Sequence, residues 1–71
     1  MSNVLIEFGK KLRKLREQQR LSQEELGFRA GLDRTYISGV ERGLRNISLN
    51  NIYRLAKALE IPLDKLMKLE K

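Results

Sequence analysis

The segment from Ser22 to Gly43 constrains the fold of this chain more than any other part of its sequence. Ser22 and Glu25 have the spacing of a capping box, in which each side chain accepts a hydrogen bond from the other residue's backbone N–H at the start of a helix. Gly31 is placed to end that helix in a left-handed conformation. Asp33 can then cap a following helix. The pattern predicts two short helices joined by a tight turn, over residues 22–30 and 34–42.

Three further helices are predicted outside this segment, and no strand pattern occurs. Residues 4–19 place apolar side chains three and four positions apart, as in an amphipathic helix packed on a core. Ser48 can cap a fourth helix, and Pro62 suits the first turn of a fifth. The expected core stripes are Leu5, Phe8, Leu12 and Leu15 in the first helix, and Leu49, Ile52, Leu55, Ala56 and Leu59 in the fourth. Since 71 residues have room for one core, we expect a single all-α domain over residues 1–71.

The charge of the chain favours a polyanionic partner. Fifteen Lys and Arg residues oppose nine Asp and Glu residues, for a formal net charge of +6. Phosphate backbones reward such a surplus through counterion release. Because many small basic domains merely have a solvated surface, charge alone leaves both alternatives open.

Missing residue types exclude several kinds of site. The sequence has no Cys and no His, which excludes disulfides, zinc sites built on those ligands and the usual general base. We expect no cofactor, no metal and no enzymatic activity, because no carboxylate pair or nucleophile–base arrangement is evident. No apolar run approaches the roughly 20 residues of a membrane span, and the N-terminus lacks the order of a signal peptide. We therefore expect a cytoplasmic protein without a membrane partner.

A glycine stands where the two short helices would have to meet. Gly27 lies in mid-helix, where glycine costs about 1 kcal/mol relative to alanine. A close helix–helix approach explains that glycine, since a connection of three residues forces a steep crossing. The inward-facing residues are expected to be Leu26, Ala30, Leu32, Ile37 and Val40. The combination predicts a helix-turn-helix, and an ordinary helical hairpin is the alternative.

From about Phe8 to Leu69, the sequence resembles the Xre-like helix-turn-helix domains, which include the lambdoid phage repressors and Cro proteins. The resemblance implies a compact five-helix, lambda-repressor-like DNA-binding domain with the helix-turn-helix at helices 2 and 3. The segment LDRTYISGVERGLRN, residues 32–46, is most similar to the controller proteins of restriction–modification systems. This similarity implies a sequence-specific transcriptional regulator that binds double-stranded DNA as a homodimer on a palindromic operator.

Other functions are compatible with much of this pattern. A phage-type repressor or an antitoxin-type autoregulator would share almost all of these residues. A protein-interaction module of the same fold would not need basic residues beside the third helix. No small-molecule ligand is expected, because the size leaves no room for an effector-sensing domain. Regulation would work by occupancy, either blocking RNA polymerase as a repressor or recruiting it as an activator.

Four residues are candidates for base contacts: Arg34, Thr35, Ser38 and Arg45. At about 100° per residue, Thr35, Ser38 and Gly39 point outward from the third helix, whose N-terminus enters the major groove in such docking. Arg34 is the leading candidate because a guanidinium can bond guanine O6 and N7 together; a phosphate contact or a surface ion pair is its alternative. Gly39 has no side chain and is expected to permit close approach of the sugar–phosphate backbone.

Four further residues are candidates for phosphate contacts: Gln23, Tyr36, Arg42 and Asn46. Gln23 lies at the N-terminus of the second helix, where relatives in the family bind a phosphate. The free backbone N–H groups at that helix end also suit an anion. Tyr36 can donate its hydroxyl, although a half-buried core tyrosine is the alternative. The family uses the stretch from Arg42 to Asn46 for backbone contacts, and Arg45 could also reach a base or the minor groove.

The resemblance also assigns two structural features. It pairs Glu41, which shares the inward face of the third helix, with Arg16 in a partly buried ion pair. It places the dimer interface in the C-terminal region, whose apolar residues are Pro62, Leu63, Leu66, Met67 and Leu69. The alternative is that Met67 and Leu69 merely cap the core. Phe28 falls on the outer side of the second helix, as an exposed aromatic or a contact to a partner subunit.

Overall fold

The computed structural model describes residues 3–69, which form five α-helices and contain no strand. The helices are α1 (Val4–Gln18), α2 (Gln23–Ala30), α3 (Arg34–Glu41), α4 (Leu49–Ala58) and α5 (Leu63–Met67). This order confirms the all-α class and the five-helix layout, and the ends of the first three helices differ from the prediction by one residue at most. Within the described part of the chain, no helix has the length and apolar character needed to cross a membrane.

Local hydrogen bonds begin and end α2 as the sequence predicts. The Ser22 hydroxyl accepts from the Glu25 backbone N–H at 2.9 Å, and the Glu25 carboxylate accepts from the Ser22 N–H at 2.8 Å. The Ser22 N–H stabilises this carboxylate and so lowers the pKa of Glu25. Gly31 follows α2 with a φ of 72°, in the left-handed region. Asn3 and Ser48 cap the N-termini of α1 and α4, where their side-chain oxygens accept hydrogen bonds from backbone N–H groups of the first turn.

Asp33 occupies the N-cap position of α3, but its side chain makes no capping bond. Its carboxylate instead accepts a hydrogen bond from the Thr35 hydroxyl at 2.5 Å. The predicted side-chain cap is therefore wrong, because a nearby hydroxyl engages the carboxylate that would otherwise bind the helix amides. The helix still begins there, since the Asp33 carbonyl accepts from the Ile37 N–H at 3.1 Å.

The core is aliphatic, with Phe8 as its aromatic member. Leu5 is half-buried, and Leu49 is 64% exposed, against the prediction that it lies in the buried stripe of α4. Leu49 stands at the first position of α4, beyond the part of that helix that packs inward. The buried apolar residues are Phe8, Leu12, Leu15, Leu21, Leu26, Ala30, Ile37, Val40, Leu55, Ala56, Leu59 and Leu66.

Two glycines allow backbones to approach closely around the helix-turn-helix. A Cβ atom on Gly27 would lie 2.5 Å from the carbonyl oxygen of Leu32, so its close neighbour is the turn before α3 rather than the body of that helix. A Cβ atom on Gly9 would lie 2.5 Å from the carbonyl oxygens of both Val40 and Glu41. No such role was predicted for Gly9. These contacts bring α1 directly against the C-terminal end of α3 and thereby fix the position of α3.

Candidate nucleic-acid interface

The helix-turn-helix buries one side of α3 and leaves the other at the surface. The residues predicted to face inward are buried: Ile37, Val40 and Glu41. On the other side Arg34 and Thr35 are exposed and Ser38 is half-buried, while Arg45 is exposed in the loop after the helix. These four candidates for base contacts, Arg34, Thr35, Ser38 and Arg45, are called the α3 face below.

Arg45 lies back across α3 from the loop between α3 and α4. Its guanidinium carbon is 5.5 Å from the centroid of the Tyr36 ring, within the range of a cation–π contact. The Tyr36 hydroxyl accepts a hydrogen bond from the Asn51 side-chain amide at 3.0 Å. The loop, α3 and α4 are thus connected through three side chains. Asn51 was not predicted, because its place beside Tyr36 arises only from the packing of α4.

Contrary to the prediction, Gly39 does not leave an open surface for close approach of a DNA backbone. Gly39 is buried, and the side chain of Arg45 covers it. A Cβ atom there would lie 2.7 Å from Cγ of Arg45 and 3.3 Å from its Nε. The expectation failed because the neighbour of Gly39 comes from a loop whose course cannot be derived from helical periodicity.

Arg16 and Glu41 form a buried ion pair between α1 and the end of α3. Arg16 Nε donates to Glu41 Oε2 at 2.7 Å and Nη2 donates to Oε1 at 3.0 Å, and the two side chains are 10% and 3% exposed. Arg16 Nη1 also donates to the Leu21 carbonyl at 2.7 Å. The hydrogen bonding to Glu41 raises the pKa of Arg16 and outweighs the opposing effect of desolvation. The guanidinium therefore stays charged while buried.

Gln23 occupies the first position of α2 and is half-buried. Its side-chain amide donates to Glu41 Oε1 at 3.1 Å. One amide N–H thus binds the ion pair, which fixes the orientation of the side chain at the helix N-terminus. An amide nitrogen carries two hydrogens, so a second donor remains.

The surface beside the α3 face is basic. Residues 34–57 contain five basic residues and one acidic residue, Glu41, which is buried with Arg16. Asp33 lies just before α3 and binds Thr35. Arg42 and Asn46 are exposed, and Arg42 Nε donates to the Ser38 carbonyl at 3.3 Å.

The C-terminal apolar residues divide between the core and the surface. Leu66 is fully buried in the core, so its predicted place in a dimer interface is wrong: the side chain has no surface for a partner. Leu63 and Leu69 are partly buried against the core, and Met67 is 46% exposed. Phe28 is 88% exposed on α2.

The fold and the α3 face define the class of protein. A family model described as "Helix-turn-helix" matches residues 12–66, a range that includes α2, α3 and α4.

Control protein C.BamHI from Bacillus amyloliquefaciens is 48% identical over 61 residues, which cover 84% of this chain and 75% of the relative. Control protein C.MunI from Mycoplasma sp is 45% identical over 67 residues, which cover 93% and 90%. The restriction-modification controller protein C.AhdI from Aeromonas hydrophila, known from a crystal structure, has 56% sequence identity with this chain. The two structures superpose with a TM-score of 0.86 over 87% of this chain and 94% of that chain. The chain belongs to the helix-turn-helix family and, within it, to the control proteins of restriction–modification systems, which confirms the predicted resemblance.

Proposed function

We propose that this protein controls a restriction–modification system, as a dimer that binds a palindromic operator in double-stranded DNA and regulates transcription by occupying it. One observation carries the proposal. The outer side of α3 and the following loop present Arg34, Arg42 and Arg45 at the surface, whereas Glu41, the only acid of residues 34–57, is buried in an ion pair. A surface of this kind suits a helix placed in the major groove.

The α3 face offers distinct chemistry at each position. The Arg34 guanidinium can bond O6 and N7 of a guanine together. The Thr35 hydroxyl donates its proton to Asp33, so toward DNA it offers a lone pair and a methyl group. These suit a base amino group and a thymine methyl, respectively. Ser38 and Arg45 complete the set of proposed base contacts.

The proposed phosphate contacts surround this face. Gln23 offers its second amide N–H at the N-terminus of α2, where unpaired backbone amides also favour an anion. The Tyr36 hydroxyl accepts from Asn51 and therefore keeps its proton for a phosphate oxygen. Arg42 and Asn46 are exposed beyond the end of α3, where they would contact the backbone.

Arg34→Ala is expected to weaken binding to the operator by roughly five- to a hundred-fold, the range that corresponds to losing one good bidentate base contact. Binding to a scrambled duplex should fall much less, because nonspecific affinity depends on total charge. Fluorescence anisotropy titrations of both labelled duplexes at one salt concentration measure the two effects.

Arg13→Ala is the matched control for this variant. It removes the same charge from an exposed position on α1, where Arg13 pairs with Glu17. Equal losses on operator and scrambled DNA in Arg34→Ala would show a phosphate contact instead of base recognition. Unchanged operator binding would remove Arg34 from the interface.

Dimerisation follows from the amount of DNA sequence that one helix can contact. A single recognition helix contacts only a few base pairs, and two-fold dimers extend the site by binding half-sites about 34 Å apart. We propose that Met67, with the exposed edges of Leu63 and Leu69, contributes the dimer surface. Met67 is the exposed member of this group.

Met67→Glu is expected to convert a dimer at about 10 μM into a folded monomer, because it places a charge in an apolar contact. Sedimentation equilibrium measures the mass, and circular dichroism checks the fold. Phe28→Glu introduces the same charge at another exposed apolar position and should leave the dimer intact. A wild-type protein that is monomeric with and without DNA would contradict the dimer, and dissociation by Phe28→Glu alone would move the interface to α2.

Operator occupancy can act in two directions. A dimer bound across a promoter would block RNA polymerase, and a dimer bound just upstream could recruit it. In this role the protein acts without catalysis. It acts in the cytoplasm, because the DNA of a bacterial restriction–modification system is transcribed there.

A further inference from the structure

The Arg45 side chain packs directly against the backbone of Gly39, in space that a side chain at position 39 would occupy. Gly39 lies within α3, on the side opposite the core contacts of Ile37 and Val40, yet it is buried. The atoms that cover it belong to Arg45, since a Cβ atom on Gly39 would lie 2.7 Å from Cγ, 3.3 Å from Nε and 3.6 Å from Cδ. At 2.7 Å the Arg45 side chain would have to move.

The Arg45 side chain extends from Gly39 to Tyr36 along the surface of α3. Tyr36 precedes Gly39 by three positions and therefore lies about one turn earlier on the same face of α3. The aliphatic part of Arg45 crosses Gly39, and its guanidinium lies over the Tyr36 ring at 5.5 Å. The side chain thus runs from the loop toward the N-terminal half of α3, along the side of the helix that carries Tyr36.

We propose that Gly39 is a specificity-determining position, because its missing side chain allows Arg45 to lie along α3 with its guanidinium over Tyr36, from where the guanidinium contacts a base in the major groove. The inference rests on the proposed DNA-binding function. The ligand of Arg45 is an acceptor-rich base edge, such as the O6 and N7 atoms of guanine. A side chain at position 39 moves Arg45 off this path, while Arg34 keeps its place.

The substitution separates recognition from folding. The obstacle to a Cβ at position 39 is a flexible, exposed side chain and not backbone, so the fold accommodates alanine by moving Arg45. Alanine also has a higher helix propensity than glycine. Gly39→Ala should therefore unfold at the same temperature as the wild type or above it.

A double-mutant cycle tests the proposal on DNA. The wild type, Gly39→Ala, Arg45→Ala and the double variant are titrated against the duplex that the wild type selects from random DNA, and against a scrambled duplex. Gly39→Ala is expected to weaken operator binding about ten-fold in the wild-type background and less than about two-fold in the Arg45→Ala background. Equal losses in both backgrounds would show that the new methyl group strikes the DNA itself, and no loss would show that Arg45 needs no such path; both overturn the proposal.

An NMR measurement without DNA keeps the inference separate from the proposed function. The Tyr36 ring should shift the Cγ and Cδ proton resonances of Arg45 in the wild type, and Gly39→Ala should abolish that shift. A shift that persists in Gly39→Ala would overturn the positioning role whatever the protein binds. Failure of the wild type to select any duplex would instead contradict the proposed function and leave the NMR result in force.

Discussion

Replacing Glu41 with alanine is expected to lower the free energy of unfolding by about 3–5 kcal/mol, because it would leave the charge of Arg16 buried without its partner. Glu41 accepts three hydrogen bonds, two from Arg16 and one from Gln23, and all three donors would lose it. Native domains are stable by only about 5–15 kcal/mol. The loss would therefore remove a large part of the stability and loosen the contact between α1 and α3.

Urea denaturation followed by circular dichroism measures this loss, at equal protein concentrations because dimerisation adds to apparent stability. Glu17→Ala is the matched control. Glu17 pairs with Arg13 at 3.1 Å, but those side chains are 54% and 65% exposed, and removal of such a pair should change the stability by about 0.5 kcal/mol or less. A Glu41→Ala variant as stable as Glu17→Ala would contradict the structural role of the buried pair.

Gly9→Ala is expected to destabilise the protein by about 1–3 kcal/mol, as overpacked cores do, although alanine gains about 1 kcal/mol in helix propensity. A Cβ atom there would meet the carbonyl oxygens of Val40 and Glu41 at 2.5 Å. Neither oxygen belongs to a side chain that can rotate away. Relief of the clash requires α1 to separate from the C-terminal end of α3.

Thermal unfolding of Gly9→Ala and Gly39→Ala makes the comparison direct, because both place the same methyl group in the interior of a helix. The nearest atoms belong to backbone at Gly9 and to the side chain of Arg45 at Gly39. The first variant should melt below the wild type and the second at or above it. A Gly9→Ala protein that melts above the wild type would contradict the described packing of α1 against α3.

The helices could be predicted because their signals are local. The capping box of Ser22 and Glu25 and the left-handed Gly31 depend on residues a few positions apart, and the structure contains both. Most of the predicted apolar stripes are buried for the same reason. The prediction was wrong at Leu49, because periodicity shows which face of a helix is apolar but not where along the helix the packing begins.

The site could be predicted less completely, because its details are tertiary. The contacts of Asn51 with Tyr36 and of Arg45 with Gly39 join elements whose relative placement no local pattern contains. Leu66 was assigned to a dimer surface because a sequence shows only that it is apolar, not that the core encloses it. For Gly9 a signal was present: glycine in the middle of an amphipathic helix is unfavourable unless something approaches closely.

The central claim is that the α3 face recognises a defined DNA sequence. Selection of bound duplexes from a random pool tests it most directly, with the wild type and Arg34→Ala in parallel. The wild type should recover a palindromic site whose half-sites lie about one helical turn apart, each with a guanine whose enrichment is lost in Arg34→Ala. A pool that shows no consensus with the wild type, or the same consensus with both proteins, would contradict the claim.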